Sequence, residues 1–243
     1  MNRKEFIKMC GILGVGIPLH LSVASCRAED DINTPPNKVI IVGAGPAGLS
    51  AAYLLNKRGI EVQVLEAADT YGGRIKTNNS FTEFPIPLGA EWLHVEKGVL
   101  NEIVNDSSVT VDINTTPYNH EVDYGLFEGS KISVKQVGFT IDQKFIGSSW
   151  LDFFNQYIVP SIASKISFNK QVEEIDYSND QILVKTADEE FSGDKVIVTA
   201  PVKLLQNGTI NFIPALPNDK AKAIKDVTVW DGCKAFIEFS DKF

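Results

Sequence analysis

Cysteine is scarce in this chain: Cys10, Cys26 and Cys233 are the three in 243 residues. They are too few and too scattered for a disulfide framework, and no CxxC or HxxxH spacing points to a metal centre. No Ser/His/Asp or Cys/His arrangement stands out, so nothing supports nucleophilic covalent catalysis. Basic residues are also in deficit. Lys and Arg number 23 against 31 Asp and Glu, a net charge of −8. That balance argues against a nucleic-acid partner, which needs a basic face. It suits cationic small molecules mildly, although most acidic excess is solvated surface. Internal repeats and low-complexity tracts are absent, and so is an uninterrupted apolar run long enough to span a membrane. What remains is a chain with an ordinary hydrophobic fraction of 44%, enough for one large domain or two small ones.

The first residues read as a targeting segment. Arg3, Lys4 and Lys8 give a basic start, and Met9 to Ser25 is apolar, glycine-rich and broken by Pro18 and His20. An export signal fits better than a membrane span. It ends Val23-Ala24-Ser25-Cys26, which resembles a bacterial lipobox. Residues 1–25 are therefore expected to be a lipoprotein-type signal peptide with Cys26 lipidated, an ordinary secretory signal being the alternative. Arg3 to Lys8 is also similar to a twin-arginine export signal with one arginine replaced by lysine, which leaves the route open. The expected location is the bacterial cell envelope, lipid-anchored or periplasmic, with no other membrane contact. Residues 26–37, acidic and then carrying Pro35 and Pro36, read as a tether. Cys10 then leaves with the signal, and Cys233 is expected to be buried filler in an apolar strand.

The richest segment is Lys38 to Ile75. Val39 to Val42 is a short apolar run ending in glycine, as in a buried parallel strand. Gly43-Ala44-Gly45-Pro46-Ala47-Gly48 follows. Gly43 permits a tight turn, Gly45 lets backbone approach a diphosphate, and Gly48 allows close helix–strand packing. Pro46 suits a first helical turn. Leu49, Ala52, Tyr53 and Leu55 give that helix an apolar side, and Gly59 stops it. A helix N-terminus there offers free N–H groups to an anion. Val62, Val64 and Leu65 form a second strand that ends at Glu66, an acid placed to accept from a ribose hydroxyl and to disfavour a 2′-phosphate. A lone glycine motif is weak evidence. Strand, glycines, helix, strand and acid in order make a dinucleotide site, and the pattern alone leaves FAD and NAD both open.

Gly72-Gly73-Arg74 resembles the second glycine motif of FAD proteins built on the glutathione-reductase plan, where the arginine contacts the phosphates. With it, the chain resembles the flavin-containing amine oxidases (monoamine, polyamine and L-amino-acid oxidases). Leu88-Gly89-Ala90-Glu91-Trp92-Leu93-His94 is similar to a GAxWxH segment of polyamine oxidases. Asn169 to Ile175 resembles a strand whose valine, Val172 here, meets adenine. Asp194 to Pro201 resembles the strand and turn returning to the FAD domain, and the likeness continues from Phe212 to Phe239. The resemblance implies FAD held by Gly43, Gly45, Pro46, Ala47, Gly48, Glu66, Ala67, Gly73 and Arg74 at the ADP end. Gly89, Ala90, Glu91 and Trp92 would run along the ribityl and isoalloxazine, and His94 would lie on the substrate side. It implies oxidation of an amine to an imine, with O₂ reduced to H₂O₂.

The implied fold is α/β: a Rossmann-like FAD-binding domain, discontinuous over 38–106 and 166–208, with a partial α+β substrate domain over 107–165 and 209–243. The family's C-terminal half has no counterpart, so the chain reads as an N-terminal portion. A desaturase-like or protoporphyrinogen-oxidase-like flavoprotein, or a catalytically inactive FAD-binding fragment, are the alternative readings. The spacing also predicts a helix within Val95–Val104, strands between Val109 and Val137, and a helix over Trp150–Ser164 despite Pro160. Beyond these it predicts two strands around Ser178-Asn179-Asp180, one strand over Phe191–Thr199, a helix over Asp219–Lys225, and a strand over Thr228–Phe239. The pattern fixes neither the amine nor the oligomeric state.

Overall fold

Val39 to Val42 are all buried, because both faces of their strand are covered. Their side chains alternate between two cores: Val39 and Ile41 join one cluster, Ile40 and Val42 the other. This explains why the sequence shows a continuous apolar run rather than an alternation. The computed structural model describes residues 36–119, 123–136, 141–229 and 232–240. The expected signal peptide, Cys26 and nearly all of the tether lie outside the described residues.

In chain order the elements begin with β1 (Lys38–Val42), α1 (Pro46–Lys57) and β2 (Glu61–Leu65). Three short strands follow, β3 (Thr77–Asn78), β4 (Ile86–Pro87) and β5 (Trp92–Leu93), and then α2 (Val99–Val104). Next come β6 (Thr115–Pro117), β7 (Asp123–Glu128), β8 (Lys131–Gln136), β9 (Gln143–Phe145) and α3 (Trp150–Tyr157). The remainder is β10 (Ile166–Ser167), β11 (Val172–Asp176), β12 (Ile182–Thr186), β13 (Glu190–Gly193), β14 (Lys195–Val198), α4 (Val202–Gln206), β15 (Asn211–Ile213) and α5 (Asn218–Asp226).

The first sheet is parallel, in the order β10-β2-β1-β14. Helix α1 packs Leu49, Ala52 and Tyr53 on one face of it, together with Phe153, Phe154, Ile158 and Ile162. The other face packs on the second sheet, β13-β12-β11-β15, through Val172, Ile175 and Val184. The fold is thus α/β with a Rossmann-like unit at its start.

Three sequence expectations need correction. The single strand over Phe191–Thr199 is two, one in each sheet. The chain switches sheets at Gly193–Asp194, where a Cβ on Gly193 would lie 3.0 Å from Ile40. Asp194 fixes the switch: its Oδ2 accepts from the amides of Asn37 and Lys38 at 2.7 and 2.9 Å. The helix from Trp150 stops at Tyr157 and gives way to 3₁₀ turns at Val159–Ser161 and Ala163–Lys165. Pro160 withholds an N–H and crowds the preceding residue, which outweighs the apolar periodicity. The described residues of Thr228–Phe239 form no strand, and Cys233 is exposed rather than buried. Apolar residues alone do not make a strand, which needs a ladder of backbone hydrogen bonds to a neighbour.

The C-terminus of α1 is clamped to the end of α2. Tyr53 donates to the carbonyl of Val104 at 2.9 Å, and Lys57 Nζ reaches Asn105 O and Asp106 Oδ2, both at 3.0 Å. Ser108 and then Lys57 hold the Asp106 carboxyl down at about 2, below its ordinary 3.8. A depressed folded-state value means the contribution is complete above pH 4 and fades as pH falls toward 2. Asp106→Asn should therefore flatten the acid limb of stability between those pH values, as read by urea unfolding across that range.

Candidate functional site

Two glycine segments meet at the C-terminal edge of the parallel sheet. Gly43 turns the chain out of β1 with φ of 103°. Its amide donates to Leu65 O at 2.8 Å, which ties the turn to the end of β2. A Cβ on Gly48 would sit 1.9 Å from Gly43 O, so only glycine lets α1 start this close to the strand. The Thr199 hydroxyl occupies the space beside both glycines. It donates to Val42 O at 2.8 Å and lies 2.8 Å from where a Gly43 Cβ would be.

Gly45 is different. A Cβ there meets nothing within 4 Å. Internal packing does not require glycine at this position, whereas a ligand lying against the backbone would. Gly73 faces Gly45, its would-be Cβ 3.4 Å from Gly45 Cα, and Gly72 donates to Ala44 O at 2.9 Å. Helix α1 begins at Pro46 with no side-chain cap and no acid in its first turn. Its first N–H groups therefore remain available to an anion. Arg74 is exposed, and its guanidinium has no hydrogen bond or ion pair among the described residues. Ala47 is exposed, and Pro46, next to it in sequence, is half-buried.

Glu66 ends β2 with both carboxylate oxygens engaged. Oε2 accepts from Ala44 N at 2.6 Å and Oε1 from Ala68 N at 3.0 Å. Each oxygen keeps a further lone pair. A cleft of about 170 Å³ is lined by Gly43, Glu66, Ala67, Lys170, Val172, Pro201 and neighbours. Gly43, Glu66, Ala67 and Val172 are thus brought together from positions far apart in sequence. Lys170 is raised above its ordinary value, by Asp188 first and Glu189 second, and stays charged at the rim. Sequence reasoning did not single out Thr199, Lys170 or Pro201 as site residues. The only local cue was the Thr199-Ala200-Pro201 turn after an apolar strand.

From this cradle the chain leads to a second group. A Cβ on Gly89 would lie 2.0 Å from Arg74 O, and Ala90 N donates to the same carbonyl at 2.8 Å. Gly89 is therefore glycine because the main chain of Arg74 lies against it. Beyond it, the Trp92 ring stacks on Tyr118 at 4.3 Å and meets His94 edge-on at 5.7 Å. Lys144 Nζ lies over both Tyr118 and Trp92, 4.9 and 5.4 Å from their centroids. Trp150 Nε1 donates to Trp92 O at 3.1 Å. Burial, then Glu91 and Asp142, push the Tyr118 phenol up from its ordinary value. His94 Nδ1 lies 2.9 Å from Oδ1 of the buried Asp142, a pairing across 48 residues that no local pattern announces. Glu91 accepts from Lys234 Nζ at 3.1 Å. Among the described residues no His/Cys/Asp/Glu group could hold a metal ion.

The two glycines predict different losses. Gly48→Ala should cost about 3 kcal/mol, since the new methyl has backbone rather than a yielding side chain in its way. Gly45→Ala should cost under about 1 kcal/mol, the difference between glycine and alanine at a helix N-cap. Thermal melts of the two variants side by side check this ordering.

Comparison with known proteins adds to this geometry. Residues 155–243 match the family described as flavin containing amine oxidoreductase, and residues 41–107 match an NAD(P)-binding Rossmann-like domain. The chain is 26% identical to lysine-specific histone demethylase 2 of Homo sapiens, over 100% of this chain and 38% of that protein. It is 34% identical to polyamine oxidase 2 of Arabidopsis thaliana, over 49% of this chain and 27% of that one. The chain thus spans well under half the length of these relatives. Among solved structures, cyclohexylamine oxidase from Brevibacterium oxydans has a TM-score of 0.60 at 14% identity, covering 79% of this chain and 63% of its own. Putrescine oxidase bound to putrescine has 0.58 at 15%, covering 78% and 63%. At that identity the two structures establish a shared fold.

Proposed function

The chain belongs to the flavin-containing amine oxidase family, whose cofactor is FAD, and on that premise we propose that its glycine cradle holds the ADP half of FAD in an enzyme that oxidises a primary or secondary amine. The observation that carries this is the contact between the two glycine segments. It leaves the Cβ direction of Gly45 open at an uncapped helix start, and the exposed Arg74 that follows Gly73 has no hydrogen bond or ion pair from its guanidinium among the described residues. The residues fit the group. Gly43, Gly45, Pro46, Ala47 and Gly48 offer backbone and helix N–H groups to a diphosphate, which the planar fork of Arg74 suits. Glu66 retains acceptor capacity for a ribose hydroxyl, and Ala67 and Val172 wall the cleft. Gly73, Gly89, Ala90, Glu91 and Trp92 carry the chain onward from the cradle.

The chemistry that FAD supplies is two-electron oxidation of an amine to an imine, with O₂ as final acceptor and H₂O₂ as product. The chain's own residues bind and orient. Trp92, stacked on Tyr118 and held by Trp150, gives a rigid apolar surface, and His94 offers a polar group at its edge. Such a surface excludes water and fixes the direction of approach. The amine, whether polyamine, monoamine or amino acid, is left open by these contacts. In this reading residues 38–106 and 166–208 serve the cofactor and 107–165 and 209–243 the substrate. The parallel sheet that joins residues 166–167 and 195–198 to β1 and β2 supports the cofactor part of that division, while β15 pairs with β11 and Phe153 and Phe154 share a core with α1 across its borders. The N-terminal pattern supports placing the activity at the cell envelope through a lipid on Cys26. Mass spectrometry of the membrane fraction should find that modification, and an unmodified Cys26 would refute it.

The cofactor reading is tested with purified protein and added FAD. Flavin absorbance should co-elute with the protein, and Arg74→Ala should weaken FAD binding roughly 10- to 100-fold, the worth of a charge-assisted hydrogen bond. Gly45→Ala should lose the bound flavin while remaining folded. No flavin retained by the unaltered protein would overturn the proposal.

A further inference from the structure

The proposed function gives no task to Thr199, although its hydroxyl is packed into the glycine turn. The residue directly follows β14. Its Oγ1 lies 2.8 Å from Val42 O and 3.2 Å from Gly43 O. The two carbonyls are not equivalent. Val42 O also accepts from the Thr199 amide at 2.9 Å. Gly43 O is closed in by Gly48, whose Cβ would lie 1.9 Å from it and 3.0 Å from the Thr199 hydroxyl.

A trans peptide is planar, so its C=O and N–H point in opposite directions. On the carbonyl side of the Gly43–Ala44 peptide stands the Thr199 hydroxyl at 3.2 Å. On its N–H side stands Glu66, whose Oε2 accepts from Ala44 N at 2.6 Å. Thr199 and Glu66 therefore grip one peptide from its two ends. Glu66 Oε1 accepts from Ala68 N at 3.0 Å, so two amides set the carboxylate, and one of them is oriented through Thr199. Gly43, at φ of 103°, has no side chain to restrict rotation of that peptide.

We propose that Thr199 is a positioning residue for the nucleotide: its hydroxyl holds the Gly43 carbonyl, which turns the Ala44 N–H onto Glu66 and aims the carboxylate's remaining lone pairs at a ribose hydroxyl. This inference rests on the proposed function for the identity of the ribose. The orientation of the peptide does not depend on it. A Thr199 that only filled the gap beside the glycines could be replaced by valine, which keeps the shape and lacks the hydroxyl, with no loss to the cofactor. A positioning Thr199 makes the aim of Glu66 a consequence of a residue on the far side of the turn.

The experiment uses the full chain, with and without added FAD. In ¹H–¹⁵N spectra of the flavin-free protein, the Ala44 amide should resonate downfield and resist exchange, as a short charge-assisted bond requires. Thr199→Val should move it upfield and speed its exchange. FAD titration should show roughly five- to tenfold weaker binding in Thr199→Val, the scale of one hydrogen bond, and undiminished affinity in Thr199→Ser. In a Glu66→Gln background, Thr199→Val should cost under about twofold more, since the two residues act through one peptide. A Thr199→Val protein that binds FAD as tightly as the unaltered one overturns the proposal. So does a loss of equal size with and without Glu66→Gln. A freely exchanging Ala44 amide in the unaltered protein overturns it whether or not the variants fold. An Ala44 amide that responds to Thr199→Val in a protein that retains no flavin would instead refute the functional reading and leave the positioning of Glu66 standing.

Discussion

The peptide unit of Ala44 is the point on which the site depends. Its N–H donates to Glu66 at 2.6 Å, and its carbonyl accepts from Gly72 at 2.9 Å. One residue thereby joins the end of β2, the turn after β1 and the second glycine segment. A charge-assisted bond in a mostly buried turn is among the stronger local restraints available. With that peptide fixed, Gly73 comes against Gly45, the next residue, Arg74, is exposed, and Gly89 is laid on the Arg74 carbonyl. Glu66 accordingly has two tasks. It braces the loop through lone pairs that point inward, and its remaining acceptor capacity faces the cleft.

Behind this clamp lies the two-faced first strand. Covering both sides of β1 requires a helix on one face and a second sheet on the other, and the chain returns from the second sheet to the first at Gly193–Asp194. The switch also brings β14 alongside β1, which places Ala200 and Pro201 at the cleft and the Thr199 hydroxyl beside Gly43 and Gly48. The outer sheet therefore does more than fill space, because its connection delivers part of the site.

Legibility followed the range of the interactions. The strand–glycine–helix–strand–acid unit could be read because its parts lie within some thirty residues and each is dictated by local stereochemistry. Gly43, Gly48 and Glu66 needed no distant information. The partners of the second group were hidden for the converse reason: Asp142 lies 48 residues from His94, and Lys144 and Tyr118 meet Trp92 only after β5, β6 and β9 associate. Two misreadings came from apolar patterns that outran the backbone. Pro160 ended a periodicity that continues through it, and Gly193–Asp194 divided an apolar stretch that looked whole. Around Cys233 the residues are apolar enough for a strand, yet hydrophobicity alone does not supply hydrogen-bonding neighbours.

The Thr199 hydroxyl has an implication for the order in which the molecule matures. It bonds Val42 O across 157 positions and fills the gap left by two glycines. The turn after β1, although it emerges early from the ribosome, stays incomplete until β14 has been synthesised and docked. Closing so large a loop is slow compared with forming local structure. The nucleotide cradle is thus a late product of folding, and a nascent chain shorter than about two hundred residues has no finished anion site to offer.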